Sequence, residues 1–163
     1  DIRSLLEVRA SIEVTAARLA AKRGDALSIA KLKAVLDEFI AQSRRDVPGS
    51  KEEAFLYAEI NCRFHLEIAE ASRNSVVIAL MKLILPDVLA FSRNNFGAYT
   101  SERVDLVARE HESIFQAIQE HDLNRAEKAM QVHMLKMIRI AEGLDKIFTN
   151  TVALNQHGEV LKK

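Results

Sequence analysis

ERVDLVAREHESIFQAIQEHDLNRAEKAMQVHMLKMIRIAEG, residues Glu102–Gly143, is the stretch that decides the fold. Its first half carries Val104, Val107, Ile114, Phe115 and Ile118 at three- and four-residue intervals, which predicts an amphipathic helix over about Glu102–Glu120. The second half repeats the pattern with Ala126, Ala129, Met130, Met137 and Ile140, predicting a helix from near Leu123 to about Gly143. His121-Asp122 leaves room only for a tight turn, so the two helices pair antiparallel. At about 100° per residue, His111 falls near the centre of the first apolar stripe and His133 near the centre of the second. The hairpin sets them at nearly the same height, so both imidazoles point into one core.

Working outward, the same spacing predicts four more helices. A first runs over about Ser4–Arg23, with Leu5, Val8, Ile12, Ala16 and Leu19 on one stripe, and Gly24-Asp25 ends it. A second covers about Ala26–Arg45, closed by the Val47-Pro48-Gly49-Ser50 break. A third spans about Lys51–Ser72, with Tyr57, Ile60, Phe64, Ile68 and Ala71 inward. A fourth covers about Ser75–Asn95, entered through Asn74 as a cap, and Pro86 inside it is expected to kink or split it. Phe96–Thr100 reads as a loop in which Thr100 or Ser101 caps the next helix, and residues 148–163 read as a weakly patterned tail. The fold class is therefore all-α, an antiparallel bundle of six to seven helices over residues 1–145, with a tail over 146–163.

Composition narrows the function. The 163 residues carry 23 basic and 23 acidic side chains, a net charge of zero, whereas a nucleic-acid surface needs a basic excess against phosphate. DNA binding by this segment alone is not expected. The single cysteine, Cys62, excludes an internal disulfide and fits a reducing cytoplasm. No apolar stretch is expected to approach the roughly 20 residues that span a bilayer, no signal peptide is read, and no membrane partner is expected. A first residue Asp1, already close to a helix, reads as part of a longer protein with a segment in front.

On the third helix, Asn61 and His65 are four apart and share a face along the edge of the apolar stripe. With His111 and His133 they offer three imidazole nitrogens and one amide oxygen, a set that first-row divalent metals accept while open positions remain. A lone histidine on an apolar face is ordinarily a hydrogen-bonded core residue. Two at matched height, joined by an Asn/His pair, make a metal site a stronger alternative to that reading, and spacing alone goes no further. His121 in the turn and His157 in the tail are expected to be solvated. Arg9 borders the first helix's stripe, where a guanidinium grips a ligand carboxylate, pairs with Glu13, or snorkels to solvent. Cys62 and the methionines Met130, Met134 and Met137 read as packing.

Three separated blocks, LLEVRASIEVTAARLAA (Leu5–Ala21), NCRFHLEIAEASRN (Asn61–Asn74) and EHESIFQAIQEHDLNRAEKAMQVHM (Glu110–Met134), resemble in order and spacing the effector-binding domain of FadR-type regulators in the GntR superfamily. The resemblance covers about Asp1–Gly143. It implies a FadR C-terminal-domain-like bundle that dimerises, preceded by a winged helix-turn-helix absent from this chain, through which operator DNA would be bound. It also implies one divalent ion, zinc or nickel, on Asn61, His65, His111 and His133, and a small carboxylate effector near the metal and Arg9. The resemblance departs at Asn61, where the metal-binding branch has an aspartate. Either the amide oxygen coordinates with one negative charge fewer, or Asn61 hydrogen-bonds His65 or water and the ion rests on three histidines.

Three rivals are weighed against a sensor domain. A di-iron carboxylate enzyme needs paired Glu-x-x-His motifs, of which the sequence has none. A mononuclear metal-dependent hydrolase needs a general base, and Glu67 and Glu110 are placed by helical position away from the cluster. A purely structural dimerisation module leaves three inward histidines without purpose.

Overall fold

In the computed structural model, residues 2–45, 50–94, 100–141 and 143 are described. They form six helices: α1 (Ile2–Arg23), α2 (Ala26–Ser43), α3 (Lys51–Ala71), α4 (Ser75–Asn94), α5 (Ser101–Gln119) and α6 (Leu123–Ala141), with no strand among the described residues. The Val47–Gly49 break, the Phe96–Tyr99 loop, and the tail 146–163 with His157 lie outside the described residues.

Helix ends follow the local chemistry. Asp25 and Ser28 form a reciprocal capping box at the start of α2. Ser50 caps α3 and Thr100 caps α5. At α4, the Asn74 Oδ1 accepts from the amides of Val76 at 3.1 Å and Val77 at 3.3 Å, as expected of it. The α3–α4 and α5–α6 turns each pass through a left-handed residue, Arg73 (φ 50°) and His121 (φ 56°). His121 is exposed but engaged, its Nδ1 lying 2.9 Å from the Ala21 carbonyl oxygen, so it ties the hairpin turn to α1. At Gly24 a Cβ would stand 2.7 Å from the Ala20 carbonyl oxygen, so the α1–α2 turn requires glycine.

Helix α1 occupies the middle, in contact with α3, α4, α5 and α6, while α2 covers α3 and α5. Its buried face explains this. Ala16, Ala17, Ala20 and Ala21 are fully buried, and their small side chains let neighbouring backbones approach closely. That face is rotated from the expected stripe. Val8 is 55% exposed, whereas Leu6, Arg9 and Glu13 are buried. Two charged side chains thus lie on the core side of the central helix.

Helix α4 narrows one expectation and corrects another. The chain is helical straight through Pro86, so the proline does not split it. Pro86 lies on the exposed side, where the Lys82 carbonyl left without its helical donor can be solvated. Residues Ser75–Ser92 are also long and apolar enough, by length and composition alone, to cross a membrane, contrary to the expectation that no such stretch exists. One side of α4, with Val77, Met81, Ile84, Leu85 and Val88, packs into the bundle core. Lys82 near its middle pairs with Glu70 of α3 at 2.8 Å.

Candidate metal centre

Three helices bring His65 (α3), His111 (α5) and His133 (α6) together. All are at most 1% exposed, and one ligand nitrogen from each lies within 4.8 Å of the other two. Ring centroids form a near-equilateral triangle, 5.2 Å for His65–His111, 5.2 Å for His65–His133 and 5.0 Å for His111–His133. The antiparallel α5–α6 hairpin sets two corners, as its sequence requires, and α3 supplies the third.

Each ring is held in place. His111 stacks on Phe64 at 4.1 Å and tilts against Phe39 at 4.6 Å, so two aromatic rings fix its plane. His65 donates from Nδ1 to the Glu13 carboxylate, which also accepts from Arg9 Nε. His133 Nδ1 lies 2.8 Å from Glu110, whose other oxygen pairs with Lys136. Two imidazoles are thus gripped from behind by carboxylates, which fixes their tautomers and leaves Nε2 directed away from the carboxylate.

Electrostatics suit this arrangement. Burial alone would raise the Glu13 carboxyl, but Arg9 and His65 outweigh it and hold it down at about 2, so it is ionised. Burial pushes His65 down to about 4 despite Glu13, and burial pushes His111 well below its ordinary value, with His133 and His65 adding to the effect. Both rings are therefore neutral near pH 7, the protonation state that binds metals. Burial would raise Glu110 too, yet its hydrogen bonds to His133 and Lys136 prevail and lower it.

A metal ion fits this donor set on the evidence of its orphaned atoms. His65 Nε2 and both ring nitrogens of His111 are buried without a hydrogen-bond partner. Native interiors rarely tolerate such groups, and each costs about 1–3 kcal/mol when left unsatisfied. A zinc ion bonded at roughly 2.1 Å would draw the three nitrogens together by about an ångström. Such a closure lies within small side-chain rotations.

The remaining expected residues divide. Arg9 is 3% exposed and pairs with Glu13, and it also lines a cavity next to the cluster with its NH2 nitrogen unpartnered, so the pairing and the cavity-facing position coexist. Asn61 is half-buried on the same cavity wall, one turn from His65. Cys62 is packing, as expected, and burial raises its thiol to about 11. Met130 and Met134 are fully buried.

Glu13 and Glu110 were not in the expected ligand environment. Glu110 had been set apart because it is next to His111 and off its stripe, but it reaches across the hairpin to α6 instead. Its signal was the short α5–α6 turn, which places Glu110 beside His133. Glu13 was legible only as an Arg9 partner four residues on. Replacing Glu13 with glutamine, which removes the charge and keeps the shape, is expected to lower metal affinity about 10–100-fold. Competition titration against a chromophoric chelator checks this, and an affinity within twofold of the parent would remove Glu13 from the support of His65.

Comparisons with known proteins agree with this architecture. Residues 4–136 match the FCD domain family. The chain is 28% identical over 147 residues to the HTH-type transcriptional regulator LutR of Bacillus subtilis (strain 168), covering 88% of this chain and 63% of that protein. It is 28% identical over 134 residues to the Glc operon transcriptional activator of Escherichia coli (strain K12), covering 80% of this chain and 51% of the activator. The chain therefore spans between half and two thirds of the length of these relatives. Among solved structures, E. coli McbR/YncC shares the fold with a TM-score of 0.65 at 15% identity, covering 91% of this chain and 68% of that one. A GntR family regulator from Pseudomonas syringae pv. tomato str. DC3000 gives a TM-score of 0.66 at 15% identity, covering 90% and 58%. The relatives are named as regulators of transcription and not as enzymes. With an all-helical bundle and a match over most of its described length, the chain belongs to the FCD domain family.

Proposed function

We propose that this chain is the ligand-sensing domain of a transcriptional regulator, holding one divalent transition metal, zinc or nickel, on His65, His111 and His133, with Asn61 contributing its amide oxygen. A small organic acid binds beside the ion, its carboxylate shared between the metal and Arg9. The observation that carries the reading is the convergence of three buried imidazoles, with His65 Nε2 and both ring nitrogens of His111 left without a protein partner. When bound, the ion supplies positive charge in a cavity where water is scarce, and it orients an anion. Glu13 and Glu110 hold two of the rings, and Arg9 adds a second cationic contact.

The sensing step is a shift between arrangements of the bundle. A ligand touching α1, α3, α5 and α6 favours the arrangement it binds more tightly, and the bias passes to a DNA-reading domain N-terminal to this one. A homodimer would couple two such readers, and the outer face of α4, where Val76 is 63% and Leu83 73% exposed, is the surface we assign to the second copy. Sedimentation velocity of a Leu83→Glu variant checks it, with a dimer-to-monomer change expected. In a cytoplasmic regulator the metal would come from the cellular pool. Hydrolytic chemistry is disfavoured by Glu110, which is held by His133 Nδ1 and Lys136 behind the ring instead of standing free as a base.

Metal analysis of protein purified without chelators or nickel resin tests the reading. One ion per chain is expected, and far less than one contradicts it. Asn61→Asp is expected to raise affinity about tenfold or more, because a charged oxygen replaces a neutral one at the same position. If chelator competition shows no change for Asn61→Asp, then position 61 is not a ligand.

A further inference from the structure

The cavity beside the histidines has a volume of about 140 Å³. Its wall is mostly apolar, formed by Leu6, Val88, Val104, Val107, Met137 and Ile140 among others, with Tyr57, Asn61 and Ser92 as minor polar contributors. Among the described residues the charged ones on it are Arg9 and Arg103, with no carboxylate. Arg9, Asn61, Val107 and Met137 stand four residues from Glu13, His65, His111 and His133 respectively, on four different helices. The cavity therefore lies one helical turn, about 5.4 Å, along the bundle from the ring of histidines. Its cationic end is built. Arg9 is buried, is anchored through Nε by Glu13, and keeps an NH2 nitrogen without a partner.

Volume and wall chemistry together define a ligand. An apolar cavity of about 150 Å³ takes up a benzene molecule, so this one suits an apolar group of about four to six carbons. Each methylene buried there adds about fourfold in affinity. A second carboxylate would be paired only where it reached Arg103; against Leu6, Val88 and Val104 it, or a chain of hydroxyls, would stand unpaired, at a loss of about ten- to a hundredfold. We propose that the effector is a monocarboxylate with a compact apolar tail, its head toward Arg9 and the histidines and its tail in this cavity. The proposal rests on the reading of the cluster and Arg9 as an effector site, and it narrows that site to one class of acid.

Isothermal titration of the metal-loaded protein with acetate, 4-methylpentanoate, benzoate, malate and citrate tests it. The tailed acids, 4-methylpentanoate and benzoate, are expected to bind at least tenfold tighter than acetate and tighter than malate or citrate. If malate or citrate binds as tightly as the tailed acids, or these bind no better than acetate, the tail assignment falls while the effector site stands. If no carboxylate binds, both fall. Val104→Phe, which fills the cavity from α5, is expected to erase the advantage of 4-methylpentanoate over acetate, with metal content as the check on folding. Should that variant lose its metal, Val104→Ala serves instead, and it is expected to shift preference to longer tails. An unchanged preference in a metal-loaded variant places the tail elsewhere.

Discussion

Replacing His111 with leucine is expected to stabilise the metal-free chain and, in the same step, to abolish its response to metal. His111 is fully buried between Phe39 and Phe64, and neither ring nitrogen has a hydrogen-bond partner. A polar group in that state costs about 1–3 kcal/mol, and an apolar side chain of similar size removes the cost. The metal-free melting temperature is expected to rise by several degrees. Added zinc or nickel raises the melting temperature of the parent by mass action and is expected to leave that of the variant unchanged. The opposite pattern, a less stable variant that still responds to metal, would make His111 an ordinary core residue. A position where function opposes stability is the behaviour expected of a ligand.

Removing Arg9 is expected to produce the largest loss of stability. Its guanidinium and the Glu13 carboxylate are 4% and 1% exposed, and Glu13 is ionised chiefly because Arg9 and His65 overcome the effect of burial. Arg9→Met keeps most of the packing and leaves a buried carboxylate with His65 as its remaining partner. Breaking such a pair costs about 3–5 kcal/mol, readable in a urea titration of the metal-free chain. Arg9→Met combined with Glu13→Gln is expected to cost less than Arg9→Met alone, because no buried charge is then stranded. A single variant within 1 kcal/mol of the parent would show that the pair is solvated. Ligand-binding experiments at Arg9 therefore need a stability control, since Arg9 is both a cavity residue and half of a core ion pair.

What could be read from the sequence, and what could not, divides along physical lines. The α5–α6 hairpin was legible because its apolar spacing is regular and its turn short, and that alone brings His111 and His133 together. His65 and the Asn74 cap followed from local spacing. The face of α1 was misjudged because a stripe drawn through apolar residues rotates away from charges, and the true core side carries Arg9 and Glu13. Those two are tolerated there only because they neutralise one another and His65 supplies the second contact, which is a tertiary fact. Glu110 was missed for a related reason. Its partner is across the hairpin, and periodicity along one helix says nothing of what a long side chain reaches on the next. Pro86 was expected to kink or split α4; the helix is not split, because the proline falls on the solvent side, where the lost hydrogen bond is easily replaced.

The chain's likeness to regulators of transcription and its buried histidine cluster converge on one physical claim, that the three imidazoles share an ion. Diffraction from crystals of the protein, collected on both sides of the zinc and nickel absorption edges, tests it directly. One anomalous peak per chain is expected, about 2.1 Å from a ring nitrogen of each of His65, His111 and His133. A cluster filled only by water, with no anomalous signal at either edge from protein supplied with both metals, would contradict it.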